Sequence, residues 1–402
     1  MSRAIRAKSA GPLAAVLLLA FTAPVLKADS LAALPLSLAP HFVASSLGPV
    51  PPISRYLAHS KVAAVVRLTA RGKADDSERT FEVVEPIKGL DIPAGKSFVL
   101  KTKNRYDEAG DLFVFLQKEA GDPVEECWLF GVTDTVLRYI RKAPSLEIPP
   151  RFRLPYFLNY LEDSDPRINK DAFAEFQAAE FHDIEAISTQ LPRAKLRSWI
   201  ADPEIGGERF SIYGSMLGLC GNADDAKRLA AIIFKPKEEP REGLDGIIVG
   251  YLLLTGETGL SLIEKHNFQD KELPFSESYA ALVATRFIWE KGIGRISPDR
   301  LRGAIRLLLE RPEFADLIIM QSARWSDWSI QKRLVEMYDD DAFNIPVVKR
   351  KIIQFMMLSV KEGTKEGSAT VPQHAVDATE SLQMMREKDP KLYEQVERLF
   401  AP

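Results

Sequence analysis

The sequence predicts an α+β chain of several parts: a small β-barrel near the N-terminus, then an all-α array of helix pairs filling the C-terminal two-thirds. Three observations predict this. Leu154, Phe157, Leu158 and Leu161, then Ile168, Ala172, Phe173 and Phe176, keep a helical period on either side of Asp163-Ser164-Asp165-Pro166. Similar pairs recur to about residue 362. Ahead of them, five short Val-, Phe- and Leu-rich runs are punctuated by glycines, which is the pattern of strands and turns.

Arg3, Arg6 and Lys8 precede an uncharged apolar run from Leu13 to Phe21, followed by small residues and Pro24. That order matches a secretory signal peptide over residues 1–28, with a run too short for a comfortable membrane span. The competing reading is an uncleaved N-terminal anchor, and Leu26 at the minus-three position leaves the exact cut after Ala28 open. The expected mature protein is exported, periplasmic or extracellular. Losing residues 1–28 removes four positive charges and no negative ones, so the formal net charge moves from −3 to −7. A mildly acidic chain without Lys/Arg blocks offers no electrostatic footprint for nucleic acid or anionic lipid, and neither is expected as a partner. The two cysteines, Cys127 and Cys220, form no disulfide framework, whether they bridge or stay as buried thiols.

Residues 29–60 are rich in Leu, Ala and Ser and are interrupted by Pro35, Pro40, Pro49, Pro51 and Pro52, so they read as a lead-in. Residues 61–133 carry the strands: Val62 to Thr69, Arg79 to Ile87, Ser97 to Thr102, Leu112 to Gln117 and Cys127 to Phe130. Pro86 lacks the donor a central ladder needs, so the second strand should bulge or end there. The wording of Val62-Ala63-Ala64-Val65-Val66-Arg67, of Phe81-Glu82-Val83-Val84-Glu85 with Ile87-Lys88-Gly89, of Gly95 with Phe98-Val99-Leu100, and of Gly110 to Leu116 resembles the netrin/TIMP-like domain. That resemblance implies an OB-type barrel. It does not carry over metalloprotease inhibition, because that family presents a disulfide-tethered N-terminal cysteine to zinc and no Cys lies near Ala28.

Residues 134–153 hold a helix candidate (Val136, Leu137, Ile140) and a joint of Pro144, Pro149 and Pro150, the expected domain boundary. Residues 154–362 then carry the pairs. Pro192 to Ala201 goes with Arg209 to Leu219, Ala223 to Phe234 with Leu244 to Leu254, and Thr258 to His266 with Ser276 to Trp289. Pro298 to Glu310 goes with Phe314 to Ala323, and Trp328 to Tyr338 with Val347 to Val360. Asp165-Pro166, Asp202-Pro203, Ser297-Pro298 and Asp389-Pro390 have the cap-plus-proline form of a helix start. Ala172, Gly214, Gly250 and Ala284 are spaced 42, 36 and 34 apart. These degenerate repeats resemble the HEAT/armadillo-like α-solenoids, which implies an interaction scaffold and by itself assigns no chemistry. Residues 363–402 read as a polar linker and two capping helices.

No pair among His41, His59, His182, His266 and His374 has metal-ligand spacing, so no metal site is expected. Nucleophile-elbow and Walker-type loops are absent, and no cofactor is implied. Gly292-Ile293-Gly294 reads as a helix-ending turn. Asp339-Asp340-Asp341 reads as a solvated turn, since three adjacent carboxylates diverge instead of converging on a cation. Arg324-Trp325-Ser326-Asp327-Trp328 is the one unusual segment. Arg324, Trp325 and Trp328 are residue types that anchor protein interfaces. Alternatively Ser326 is an N-cap, with Trp325 and Ile330 forming a hydrophobic staple. The leading functional expectation is a non-enzymatic scaffold that binds a protein partner. An enzyme with a dispersed active site and a protease-inhibitor-like β-domain are the competing classes.

Overall fold

The computed structural model describes residues 52–400 except 72–77, 90–92, 102–109, 118–126, 236–240, 292–294 and 365–369. The signal segment 1–28, most of the lead-in, the glycine turn at 292–294 and the middle of the C-terminal linker lie outside the described residues. The described lead-in ends in a short helix, α1 (Ile53–His59). Far from lying loose, it is docked: the Ile53 N–H donates to Asp171 Oδ1 at 2.5 Å, Lys88 Nζ donates to the Ala58 carbonyl at 3.0 Å, and Tyr56 packs on Phe130 with ring centroids 5.6 Å apart.

The five strands, β1 (Val62–Arg71), β2 (Glu78–Lys88), β3 (Ser97–Lys101), β4 (Leu112–Gln117) and β5 (Cys127–Val132), form one antiparallel sheet in the order β3-β2-β1-β4-β5. Among the described residues β3 and β5 are open edges, so the sheet does not close into the expected barrel. The central strand explains what replaces closure. In the run Val62 to Val66 every residue is buried, because both faces of β1 are covered. Val62, Ala64, Val66 and Leu68 join Phe81, Phe113 and Phe115 in one cluster, while Ala63 and Val65 join Val114, Leu116 and the helices. An open sheet capped by helices on one face has no need of closure. Three register shifts between β1 and β2 bend it over the aromatic cluster, one of them at the Ala64–Pro86 pairing, beside the proline expected to bulge.

The helical part consists of α2 (Asp134–Lys142), α3 (Pro150–Leu158), α4 (Pro166–Ala178), α5 (Phe181–Glu185), α6 (Arg193–Ala201), α7 (Gly207–Cys220), α8 (Ala223–Ile233), α9 (Leu244–Thr255), α10 (Glu257–Ile263), α11 (Phe275–Glu290), α12 (Pro298–Arg306), α13 (Pro312–Arg324), α14 (Gln331–Tyr338), α15 (Pro346–Gly363), α16 (Gln373–Lys388) and α17 (Pro390–Phe400). The stripes that announced α3 and α4 are core: Leu154, Phe157 and Leu161 are fully buried, as are Ala172 and Phe176. Asp165 caps α4 by accepting from the Arg167 N–H at 2.9 Å, with Pro166 at the first turn. Asp202-Pro203, by contrast, opens no helix. Asp202 closes α6 and its carboxylate accepts from Glu204 N–H in a turn, so α7 starts only at Gly207.

Long helices pack on their next-but-one neighbours, α7 on α9, α9 on α11, and α13 on α15. The α7–α9 crossing is the closest. A Cβ on Gly250 would sit 2.1 Å from the Gly214 carbonyl oxygen, and one on Gly218 would sit 2.4 Å from Gly250 Cα. Two Gly-x-x-x-Gly stretches, Gly214 to Gly218 and Gly246 to Gly250, thus bring backbone against backbone. The Pro-rich joint narrows to residues 143–149, between α2 and α3, and the core is continuous across it: Ala63, Val65, Val114 and Leu116 of the sheet belong to the same cluster as Leu137, Leu154 and Phe157.

At the start of α8, Asn222 and Asp225 form a capping box, and Asp225 also pairs with Arg197 of α6 through both oxygens. Burial raises the Asp225 pKa, but the Arg197 pair, the Asn222 N–H and Arg193 outweigh it, and the net shift is downward from 3.8. A carboxyl whose pKa is depressed by folding stabilises the native state above its unfolded pKa and loses that contribution as pH falls through the folded value. Asp225→Asn should therefore be less stable at neutral pH and show a shallower loss of stability below pH 3.8 than the parent. Denaturant unfolding at a series of acidic pH values measures this; parallel acid limbs would show that the pair contributes nothing.

Candidate functional site

Three consecutive long helices, α11, α13 and α15, repeat one face. Tyr279, Val283, Arg286 and Glu290 on α11 are each followed 34 residues later by Glu313, Leu317, Met320 and Arg324 on α13, and 34 later again by Val347, Lys351, Gln354 and Leu358 on α15. The spacing i, i+4, i+7, i+11 keeps each set on one side of its helix. None of these twelve residues is buried, whereas Ala284, Ile318 and Ile352, also 34 apart, are all fully buried. α13 packs on α15, and side-chain contacts join α11 to α13. Phe275 stacks on Phe314 at 4.4 Å, Trp289 stacks on Trp325 at 4.2 Å, and Arg311 Nη1 donates to Ser278 Oγ at 2.7 Å.

Like charges converge here. Arg286 reaches only to 3.9 Å from Glu290, and its Nε is buried without a hydrogen-bond partner. Among the described residues neither Arg324 nor the exposed Arg350 forms an ion pair, and Lys351 Nζ donates to Gln354 Oε1 at 2.9 Å. Desolvation, then the Arg286 guanidinium, lowers the Arg324 pKa against the opposing pull of Glu290. The Lys351 pKa is lowered by desolvation, with Arg350 and Arg324 adding to it and Asp316 opposing. Burial raises the Glu290 pKa even though Arg286, Lys291 and Arg324 favour its charge. Glu290 and Asp316 offset the repulsion among Arg286, Arg324, Arg350 and Lys351 only in part, so an anion at this face would relieve what remains.

Beside this face lies a cavity of about 150 Å³ between α4, α5, α7 and α11. Phe181, Ile212, Met216 and Phe287 line its floor; Glu180 and Lys291, paired at 3.2 Å, stand at its edge.

The structure separates the three residues of the sequence-identified segment. Arg324 is exposed on the α13 face. Trp325 is buried, with its ring on Trp289 and its carbonyl accepting from Arg302 Nε at 3.1 Å. Trp328 is half-buried between Phe355 and His374, at 5.1 and 5.5 Å, and its Nε1 has no hydrogen-bond partner. Ser326 is not an N-cap. It closes α13: its φ is +51°, its N–H donates to the Ala323 carbonyl at 3.1 Å and the Asp327 N–H donates to the Ser322 carbonyl at 2.8 Å, a Schellman motif with serine in the left-handed position. Arg286, Lys291 and Lys351 were not singled out from the sequence. The 34-residue spacing does not mark them: Arg286 aligns with Met320 and Gln354, Lys351 with Leu317 and Val283, and Lys291 with the buried Trp325.

Elsewhere, chemistry gives way to structural duty. Asp339 pairs with Lys388 at 2.6 Å and Asp340 accepts from the Ala342 N–H at 2.9 Å, so these carboxylates diverge. Ser359 Oγ and His374 Nδ1 are 2.9 Å apart, but Ser359 is fully buried and also binds Gln331, a joint between α15, α16 and α14. Cys220 is a free, half-buried thiol whose pKa burial, followed by Asp225, pushes up to about 11. Among the described residues no group of three His, Cys, Asp or Glu side chains is placed to hold a metal, and no helix is long and apolar enough to cross a membrane. No family model, curated protein or solved structure matches the chain.

Proposed function

We propose that the chain is an exported, non-enzymatic binding module whose HEAT-like helical array holds a protein partner against the face of α11, α13 and α15. The observation that carries this reading is the twelve-position face itself. Three successive long helices leave the same four positions unburied, and those positions mix apolar contact area (Val283, Leu317, Met320, Leu358) with the cations Arg286, Arg324 and Lys351, of which Arg324 and Lys351 make no ion pair among the described residues. Interfaces are enriched in Arg and Met and built around such mixed centres. Export rests on the basic n-region and apolar run before Ala28.

The test is affinity purification of the full-length protein from its native envelope fraction, alongside Arg324→Glu/Lys351→Glu. The expected result is a co-purifying protein retained by the parent and lost from the variant, with thermal unfolding unchanged, since both side chains lie outside the core. N-terminal sequencing of the same material should begin near residue 29. Retention indifferent to both charge reversals would sink the site, and Met1 in a cytosolic fraction would sink export.

A further inference from the structure

The 150 Å³ cavity and the cationic face share α11. Phe287 lines the cavity, Arg286 and Glu290 belong to the face, and Lys291, next in the chain, stands at the cavity edge while favouring the charge of Glu290. Resting on the proposed protein-binding role, we infer that the partner presents a short acidic segment bearing one bulky apolar side chain, the side chain entering the cavity beside Phe287 and the carboxylates spreading over Arg286, Arg324 and Lys351. Size, polarity and charge each narrow the ligand. A mostly apolar space of about 150 Å³ suits a benzene-sized group, that is, a phenylalanine or leucine side chain. Its floor of Phe181, Ile212, Met216 and Phe287 is apolar, and the Ser215 hydroxyl in the lining already donates to the Ser211 and Gly246 carbonyls, which favours an apolar side chain over a polar one. Outside it, guanidinium groups match carboxylates in fork geometry, and Arg324 makes no ion pair among the described residues. Glu180 is paired with Lys291 and Glu313 with Arg311. That leaves Glu290 and Asp316 against Arg286, Arg324, Arg350 and Lys351, so the cations are in excess and favour an acidic segment over a neutral or basic one.

The probe is a fluorescein-labelled peptide, Asp-Glu-Asp-Phe-Asp-Glu-Asp, titrated with the full-length protein and followed by fluorescence anisotropy at low and moderate salt. Placing phenylalanine centrally removes any assumption about chain direction. The expected result is saturable binding that weakens with salt. It should fall at least tenfold when the peptide phenylalanine becomes alanine, when its acids become amides, in Arg324→Glu, and in Ala179→Phe, which fills the cavity from its half-buried wall. Ala179→Leu, a smaller plug, should fall in between, and thermal melting verifies that each variant is folded. Binding that ignores both the peptide phenylalanine and the Ala179 variants overturns the anchor. Absence of binding overturns the segment, as does binding of phosphatidylglycerol vesicles through the same residues without the peptide. A partner captured from the envelope through Arg324 and Lys351, combined with no response to the peptide, would overturn the segment chemistry while leaving the protein-binding role intact.

Discussion

Gly250→Ala is expected to cost about 3 kcal/mol, at the upper end of what overpacking does, and Gly250→Leu to leave little native protein. The obstruction is backbone. The new Cβ would meet the Gly214 carbonyl oxygen at 2.1 Å, and a main-chain atom in mid-helix has no rotamer through which to yield. Relief requires α7 and α9 to separate, and α9, buried along nearly its whole length, is packed against α7, α8 and α11. Gly303, where an added Cβ meets nothing, is the matched control, and its replacement by alanine should be neutral or slightly stabilising through helix propensity. Denaturant midpoints of the three variants decide the matter. A Gly250→Leu protein with a native midpoint would mean that α7 and α9 do not cross as described.

Trp325→Ala is expected to lose about 3–5 kcal/mol, whereas Arg324→Ala, one residue away, should stay within about 0.5 kcal/mol. Trp325 is 4% exposed, and its indole fills the space between Trp289 and the end of α13, with Arg302 lying 5.3 Å from the Trp289 ring. Removing it opens a cavity and strips the Trp289 ring of its stacked partner. Arg324 points out of the same turn and makes no ion pair among the described residues. The pair of variants separates two roles that the sequence runs together, with thermal melting reporting on Trp325 and partner binding on Arg324. Equal stability of the two would show that Trp325 does not serve the core.

The sequence was legible where a local rule also had a tertiary reason. Helix stripes from Leu154 to Phe176 became core because amphipathic faces pack inward whatever their neighbours. The spacing of Gly214 and Gly250 was read only as a repeat period, whereas the structure sets both glycines at the α7–α9 crossing, where only glycine tolerates the approach. Legibility failed where two rules competed. Ser326 has the composition of an N-cap, but the chain needed a left-handed residue to turn out of α13, and composition alone does not reveal φ. Asp202-Pro203 has the form of a helix start, yet the same residues make a good helix exit. The open sheet was read as a barrel because strand patterning records burial on both faces of β1 without recording whether a sheet or a helix supplies it. The short α5, five residues long, carries too little period to be seen, and it supplies the wall of the cavity.

That short helix also governs how the array can flex. Phe181 meets the Phe287 ring edge-on at 4.9 Å and Glu180 pairs with Lys291, so the chain is tied to itself across more than a hundred residues. A stack of helices linked only to adjacent layers behaves as a spring, with compliance distributed along its length. A brace between distant layers converts the spanned part into a stiff frame and leaves the bending to what lies beyond. Here the frame ends at α11, while α13 and α15 continue past it. If the array bends as a solenoid does, the face of the three helices would straddle a stiff support and a more compliant arm. A partner gripping all twelve positions would lock the arm to the frame, so the work of association would include stilling a bending mode, and pulling on the C-terminal helices would loosen that grip from α15 inward.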